Sequence, residues 1–239
     1  MSTLFLLGGG WDPGPLTRHL GAFLAAAGPD PVVACVVVDE GDGHGEREAA
    51  RSGAALTAAA ACRPRPVLVP VGGVLDPDAL RGADALLVCG GLTPAYAAAL
   101  APVRGQVRSF LRTRPYAGFS AGAAVAAERA VVGGWRHRCR PVCPEDAGED
   151  LDEVTVVDGL GLVPWVVEVH CAQWGTLGRL VVATRDGAVP GVGLDEDTML
   201  TVTPDGAAVS GSGHAWVVGP GGSVTAVGGG GVTGLAPGP

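Results

Sequence analysis

The first 130 residues alternate between short, almost uninterrupted apolar runs and longer stretches that repeat apolar positions at helical spacing. Thr3–Leu7 is an apolar run that stops at Gly8-Gly9-Gly10, and Leu16–Ala27 follows as a predicted helix. Val32–Val38 is nearly all β-branched and apolar, the pattern of a strand covered on both faces. Alanine-rich Gly45–Ala61 reads as the next helix and Val67–Val71 as a third strand. Ala85–Cys89 is a fourth strand, closed by Gly90-Gly91, with a helix expected over Pro94–Arg112. Tyr116–Phe119 is a fifth, running into Ser120 and a helix over Ala121–Arg129. Strands alternating with helices predict an α/β fold, a three-layer α/β/α sandwich on a mainly parallel sheet. Ligands of such sheets sit at the carboxyl ends of the strands. The glycine-marked ends at Gly8–Gly10, Gly90-Gly91 and Gly118–Gly122 are therefore expected on one rim.

The pattern changes in the second half. Gly133–Glu153 is a polar, charged loop, long enough for a lid or binding loop. From Thr198 onward, Met199–Val202, Ala207–Ser210, Ala215–Val218 and Ser223–Val227 alternate as antiparallel hairpin strands. A single domain over residues 1–227 is expected, with a flexible tail over 228–239.

Composition narrows the function classes. With 47% hydrophobic residues in 239, the chain can bury a large core. Its net charge of −8 and absence of basic runs disfavour nucleic acid and anionic membrane surfaces as partners. No apolar stretch is long enough to span a bilayer, and no basic leader precedes the first apolar run. The six cysteines show no disulfide framework, and a reduced, cytoplasmic protein is the expectation. Lysine, isoleucine and asparagine are absent, a codon skew that carries no functional meaning. Oligomeric state is left open, a homodimer included.

Gly118-Phe119-Ser120-Ala121-Gly122 fits the G-x-S-x-G nucleophile elbow, between a strand and a helix as that motif requires. A serine on such a turn needs small neighbours, and the amide of Ala121 at the helix start can face an oxyanion. The nucleophile also needs a base, and the base an orienting acid. His19 and His44 fall in or beside helices, and His137 lies among arginines of the long loop. His170, ending the run Val166–Val169, and His214, between two β segments, are the candidates. The acid is sought in Asp195-Glu196-Asp197, after the short strand Val192–Leu194. Ser120–His170–Glu196 and Ser120–Asp195–His214 both satisfy the spacing. His137, Cys139 and Cys143 lack a second ligand pair, so no metal and no cofactor is expected. Cys171 reads as a filler of the histidine pocket, and Arg136, Arg138 and Arg140 as solvated loop residues.

The ordered set Leu7–Gly10, Cys89–Gly91, Gly118–Ala123, Gly159–Leu162 leading to His170, Arg179-Leu180 and Gly191–Glu196 resembles the S51 peptidase family, which contains aspartyl dipeptidase (peptidase E) and cyanophycinase. The resemblance implies a fold related to class I glutamine amidotransferases, with Ser120 as nucleophile, His170 as general base and Glu196 orienting it. It also implies an oxyanion hole from the Gly91 and Ala121 amides, and makes His214 a bystander. Gly90, Gln173, Trp174, Thr176 and Arg179 are the implied substrate-binding positions. Two departures bear on substrate. Cys171 follows the histidine where phenylalanine is common. Trp174 and Thr176 replace two of three substrate-binding arginines of cyanophycinases, and Arg179 matches the third. The implied activity is amide hydrolysis in a short peptide or amino-acid conjugate, with acyl transfer or an inert ligand-binding scaffold as alternatives.

Overall fold

The computed structural model describes residues 2–236. In chain order it begins β1 (Leu4–Leu7), α1 (Pro13–Ala27), β2 (Val32–Asp39), α2 (His44–Ala59), β3 (Arg63–Pro70), β4 (Ala85–Val88), α3 (Thr93–Leu100), α4 (Arg104–Phe110), β5 (Tyr116–Phe119) and α5 (Ala121–Ala124). It continues β6 (Arg129–Gly133), β7 (Arg136–His137), β8 (Arg140–Pro141), β9 (Thr155–Asp158), β10 (Val166–Glu168) and α6 (Leu177–Gly187). The chain closes with β11 (Gly191–Leu194), β12 (Thr198–Thr203), β13 (Gly206–Gly211), β14 (His214–Val218) and β15 (Val224–Gly228).

A seven-stranded sheet in the order β13-β12-β1-β5-β4-β2-β3 forms the middle layer. Its five N-terminal strands are parallel, and β12 joins β1 antiparallel. Alternate residues of each strand face opposite sides. Phe5, Leu7, Val33, Cys35, Val37, Leu87 and Phe119 pack on Leu16, Leu20 and Phe23 of α1 and Leu56 of α2. Leu4, Leu6, Val36, Val38, Leu86 and Val88 face the other way, into the core with α3 and α5. That second core is extended by a four-stranded sheet, β10-β11-β14-β15, through Val167, Val192, Leu194 and Ala215. No helix among the described residues is long and apolar enough to cross a membrane.

Several expected boundaries shift for local reasons. The single helix over Pro94–Arg112 is two, α3 and α4, separated by a 3₁₀ turn at Ala101–Val103. Pro102 there supplies no N–H and crowds the preceding turn. The helix expected to reach Arg129 ends at Ala124, and Arg129 begins β6. β3 extends back to Arg63 through Pro64 and Pro66, which it tolerates because it is an edge strand. The C-terminal hairpins separate: β12–β13 extends the main sheet, whereas β14–β15 completes the second. The stretch 228–239, expected to be a flexible tail, is tied down at particular positions. Thr233 N–H bonds to Ala207 O at 3.0 Å, Trp165 Nε1 donates to Ala236 O at 3.1 Å, and Leu235 is buried in the core. Residues 237–239 of that stretch lie outside the described residues.

Candidate active site

Parallel pairing sets the rim. Leu7 is level with Phe119 and Val88 with Gly118, so the chain leaves β1, β4 and β5 at one edge of the sheet. Gly8–Gly10, Gly90-Gly91 and Ser120 follow directly.

Ser120 sits at φ 51 and ψ −112, a backbone conformation uncommon for a residue with a side chain, between β5 and α5. The flanking glycines permit the turn. A Cβ on Gly118 would lie 2.5 Å from the Gly122 carbonyl, and one on Gly122 only 2.1 Å from Val88 O. Strand and helix thus approach to a distance that only hydrogen can occupy. The Ala121 amide begins α5, and the Gly91 amide lies one residue beyond Gly90, whose position would bring a Cβ 3.3 Å from that of Ser120. Neither the Gly91 nor the Ala121 N–H has an acceptor among the described residues. Tyr96, fully buried, holds the turn by donating from its hydroxyl to Gly90 O at 2.9 Å.

Ser120 Oγ lies 2.7 Å from His170 Nε2, and His170 Nδ1 lies 2.7 Å from Glu196 Oε1. Serine, imidazole and carboxylate form one hydrogen-bonded row across 50 and 26 residues of sequence. The loop after β10 and the turn after β11 deliver the last two. These strands pair in parallel in the second sheet, so their ends reach the rim together. The histidine is fixed on several sides. Its N–H donates to Gly8 O at 3.1 Å, its ring is stacked on Trp174 with centroids 4.0 Å apart, and Gly9 lies against its Cε1 edge. Gln173 Oε1 accepts from the Glu196 amide at 2.9 Å and steadies the acid. Burial holds the His170 pKa below its ordinary value, while Glu196 pulls it up without fully offsetting that effect. The imidazole is therefore neutral at pH 7, able to accept a proton.

The other arrangement does not form. Asp195 is 3% exposed, with Oδ1 accepting from Ala172 N and Trp216 Nε1 and Oδ2 from the His214 amide. It braces the turn that presents Glu196, and the His214 side chain is half exposed beside it. Asp197 Oδ1 accepts from Asp12 N, and its own amide donates to Gly9 O, so it fastens the first rim loop.

The substrate-side expectations need correction at two positions. Arg179 is not available to a ligand. Its Nε and Nη2 donate to the two oxygens of Glu168 at 2.7 and 3.0 Å, and Nη1 donates to the carbonyls of Gly134 and Ala147. Burial alone would weaken its charge, but the Glu168 carboxylate more than compensates and holds the guanidinium protonated. Thr176 is fully buried, its hydroxyl donating to Val169 O at 2.7 Å. Trp174, by contrast, is 42% exposed while stacked on the histidine. A cleft of about 410 Å³ beside it is lined by Pro144, Asp146, Ala147, Gln173, Trp174 and Gly175, without a cation.

The long loop is anchored rather than free. Besides the Arg179 contacts, Glu149 accepts from the amide and hydroxyl of Thr93, each at 3.0 Å. His137 lies 3.4 Å from Asp186, near the far end of α6. Arg138 and Arg140 of this hairpin are exposed, and Arg136 lays its guanidinium over the Trp135 ring at 3.8 Å. Cys171 is buried against Gly193, and burial raises its thiol pKa, so it is a packing group. No group of His, Cys, Asp and Glu among the described residues is arranged to hold a metal.

Glu168 and Tyr96 were not anticipated from sequence. A carboxylate inside Val166–Val169, with an arginine eleven residues on, was the available signal for the first.

No family model matches the sequence, and no curated protein matches it. Among solved structures, a Listeria monocytogenes EGD-e protein assigned provisionally as a peptidase E superposes with a TM-score of 0.61. The alignment covers 88% of this chain and 98% of that one at 13% identity. The two share a fold. At that identity the likeness concerns the architecture, an α/β sandwich with a mainly parallel central sheet, and matches the fold expected from the S51 resemblance.

Proposed function

We propose that this chain is a serine hydrolase that cleaves an amide bond in a short peptide or amino-acid conjugate through an acyl-enzyme on Ser120. The observation that carries the reading is the row from Ser120 Oγ through His170 to Glu196, with both links at 2.7 Å. Glu196 accepts a hydrogen bond from His170 Nδ1–H, which keeps the proton on Nδ1 and leaves the Nε2 lone pair directed at Ser120. As Oγ attacks the carbonyl carbon, Nε2 takes its proton. The carbonyl oxygen, now an anion, accepts hydrogen bonds from the Gly91 and Ala121 amides. His170 then protonates the leaving amine, and the C–N bond breaks to give an ester on Ser120. Water, deprotonated by His170, attacks that ester and releases the acid and free serine.

The surroundings bear on the substrate. With Arg179 neutralised by Glu168, and Trp174 and Gln173 lining the cleft beside His170, a neutral or aromatic side chain suits this side better than a carboxylate.

The test is fluorophosphonate labelling read by peptide mass spectrometry, followed by a dipeptide screen. A single adduct on Ser120, absent from Ser120→Ala and His170→Ala and unchanged in His214→Ala, is expected. Labelling of His170→Ala at the wild-type rate would sink the proposed mechanism. Tight binding of dipeptides with neither labelling nor turnover would favour an inert scaffold, and conjugates formed with added amines would favour acyl transfer.

A further inference from the structure

At the end of the sheet opposite the rim, where β1 begins, lies a cleft of about 580 Å³ between α4 with its following turn and the loop 159–164. Three of the chain's arginines line it. Arg104, Arg108 and Arg112 are four residues apart, and bonds from Leu111 N to Val107 O and from Arg112 N to Ser109 O carry the helical turn past α4. This spacing sets the three guanidinium groups on one face. Arg104 is paired with Asp158 at 3.3 Å, but that carboxylate is held more closely by Arg129, at 2.8 Å. Arg108 and Arg112 have no carboxylate partner among the described residues, and Glu128 is the single acid in the lining.

A positive cleft on a chain of net charge −8 runs against the overall balance. Like charges at this helical spacing repel one another, and a bound anion would relieve that repulsion. The floor is apolar: Leu4, Leu111, Leu160 and Leu162. The far wall is fixed in place, because the amides of Leu160, Gly161 and Leu162 donate to Val125, Ala127 and Ala126 just after α5. Guanidinium groups over an apolar floor, in a volume within the ordinary range for small-molecule sites, define the ligand chemistry.

We propose that this cleft binds an organic phosphate carrying at least two negative charges, with its less polar part resting on the leucine floor and its phosphates on Arg108 and Arg112. The site is separate from Ser120 and independent of the reaction proposed there.

The test measures binding of ADP by calorimetry to the full chain, to Ser120→Ala and to the double variant Arg108→Gln/Arg112→Gln. Both arginines are exposed and their side chains make no hydrogen bond among the described residues, so the variant should keep its Tm. ADP is expected to bind the wild type and Ser120→Ala equally, with a Kd below about 1 mM. The double variant should bind at least tenfold more weakly, and added salt should weaken wild-type binding. Absence of binding to the wild type, unchanged affinity in the double variant, or loss of binding in Ser120→Ala would each overturn the proposal.

Discussion

Replacing Gly9 with alanine tests the site without removing any reacting atom. The new Cβ would fall 2.1 Å from His170 Cε1, 2.7 Å from Nδ1 and 2.8 Å from Nε2. Ordinary contact between carbon atoms begins near ~3.5 Å, so the ring would have to retreat by more than about 1 Å. Trp174 plates the ring at 4.0 Å and the His170 amide is bonded to Gly8, so little room exists for a retreat that keeps both hydrogen bonds. Gly9 also adopts φ +102, where a side chain adds strain of about 1–3 kcal/mol. A misplacement of this size costs on the order of 10²-fold in rate. Fluorophosphonate labelling of Gly9→Ala should therefore be at least a hundredfold slower than wild type, with folding retained by circular dichroism and a lowered Tm. Labelling at the wild-type rate with an unchanged Tm would refute the reasoning, because Gly9 could then not be packed against an imidazole that activates Ser120.

The remaining predictions concern charge and substrate. Because burial holds His170 below the ordinary imidazole value of 6.5, kcat/KM should rise from acid pH with a midpoint under that value and be flat through pH 7. Glu196→Gln removes a group that raises this pKa, so the midpoint should move lower still and the plateau fall by about 10²-fold or more; an unmoved midpoint would argue against the contact. Arg179→Met leaves Glu168 buried and unpaired, which should cost about 3–5 kcal/mol in urea unfolding, largely restored by adding Glu168→Leu. If Arg179 instead served a substrate, KM would rise with stability unchanged. Trp174→Ala should raise KM for dipeptides with an aromatic first residue more than for small ones, and a uniform effect would count against a cleft that selects side chains. His19 is buried, which, with help from Arg18, lowers its pKa to about 4. The unfolded chain therefore binds this proton first as pH falls through 6.5. Stability should drop by about 3 kcal/mol between there and pH 4, and His19→Phe should flatten that decline; parallel curves would refute it.

Much of the α/β organisation was readable because its signals are local. β1, β4 and β5 are short apolar runs that lead into glycine-marked turns, and the G-x-S-x-G turn sits inside five residues whose sizes dictate the geometry. Helix ends were less secure. Pro102 breaks the helical run near its middle, and the residues after Ala124 leave α5 to form β6, although their alanines favour helix. Here tertiary packing overrode propensity. The substrate side was the least legible, since a sequence shows that Arg179 is present but not that Glu168 occupies it.

By itself, then, the sequence determined the layer architecture, the rim where strand ends converge and the serine on its strained turn, because propensity, patterning and steric size act between near neighbours. Residue spacing left two histidines open and the family resemblance pointed to His170, but only the tertiary structure brings a ring to that serine. His170 and His214 both follow apolar β segments, and Glu196 and Asp195 are adjacent in the chain. Parallel pairing of β10 with β11 carries His170 and Glu196 to the rim together, while antiparallel β14 holds the His214 amide against Asp195 and leaves its side chain beside solvent. Hydrogen bonds across 50 and 26 residues depend on strand order and register, which the chain specifies only when all of its elements pack at once.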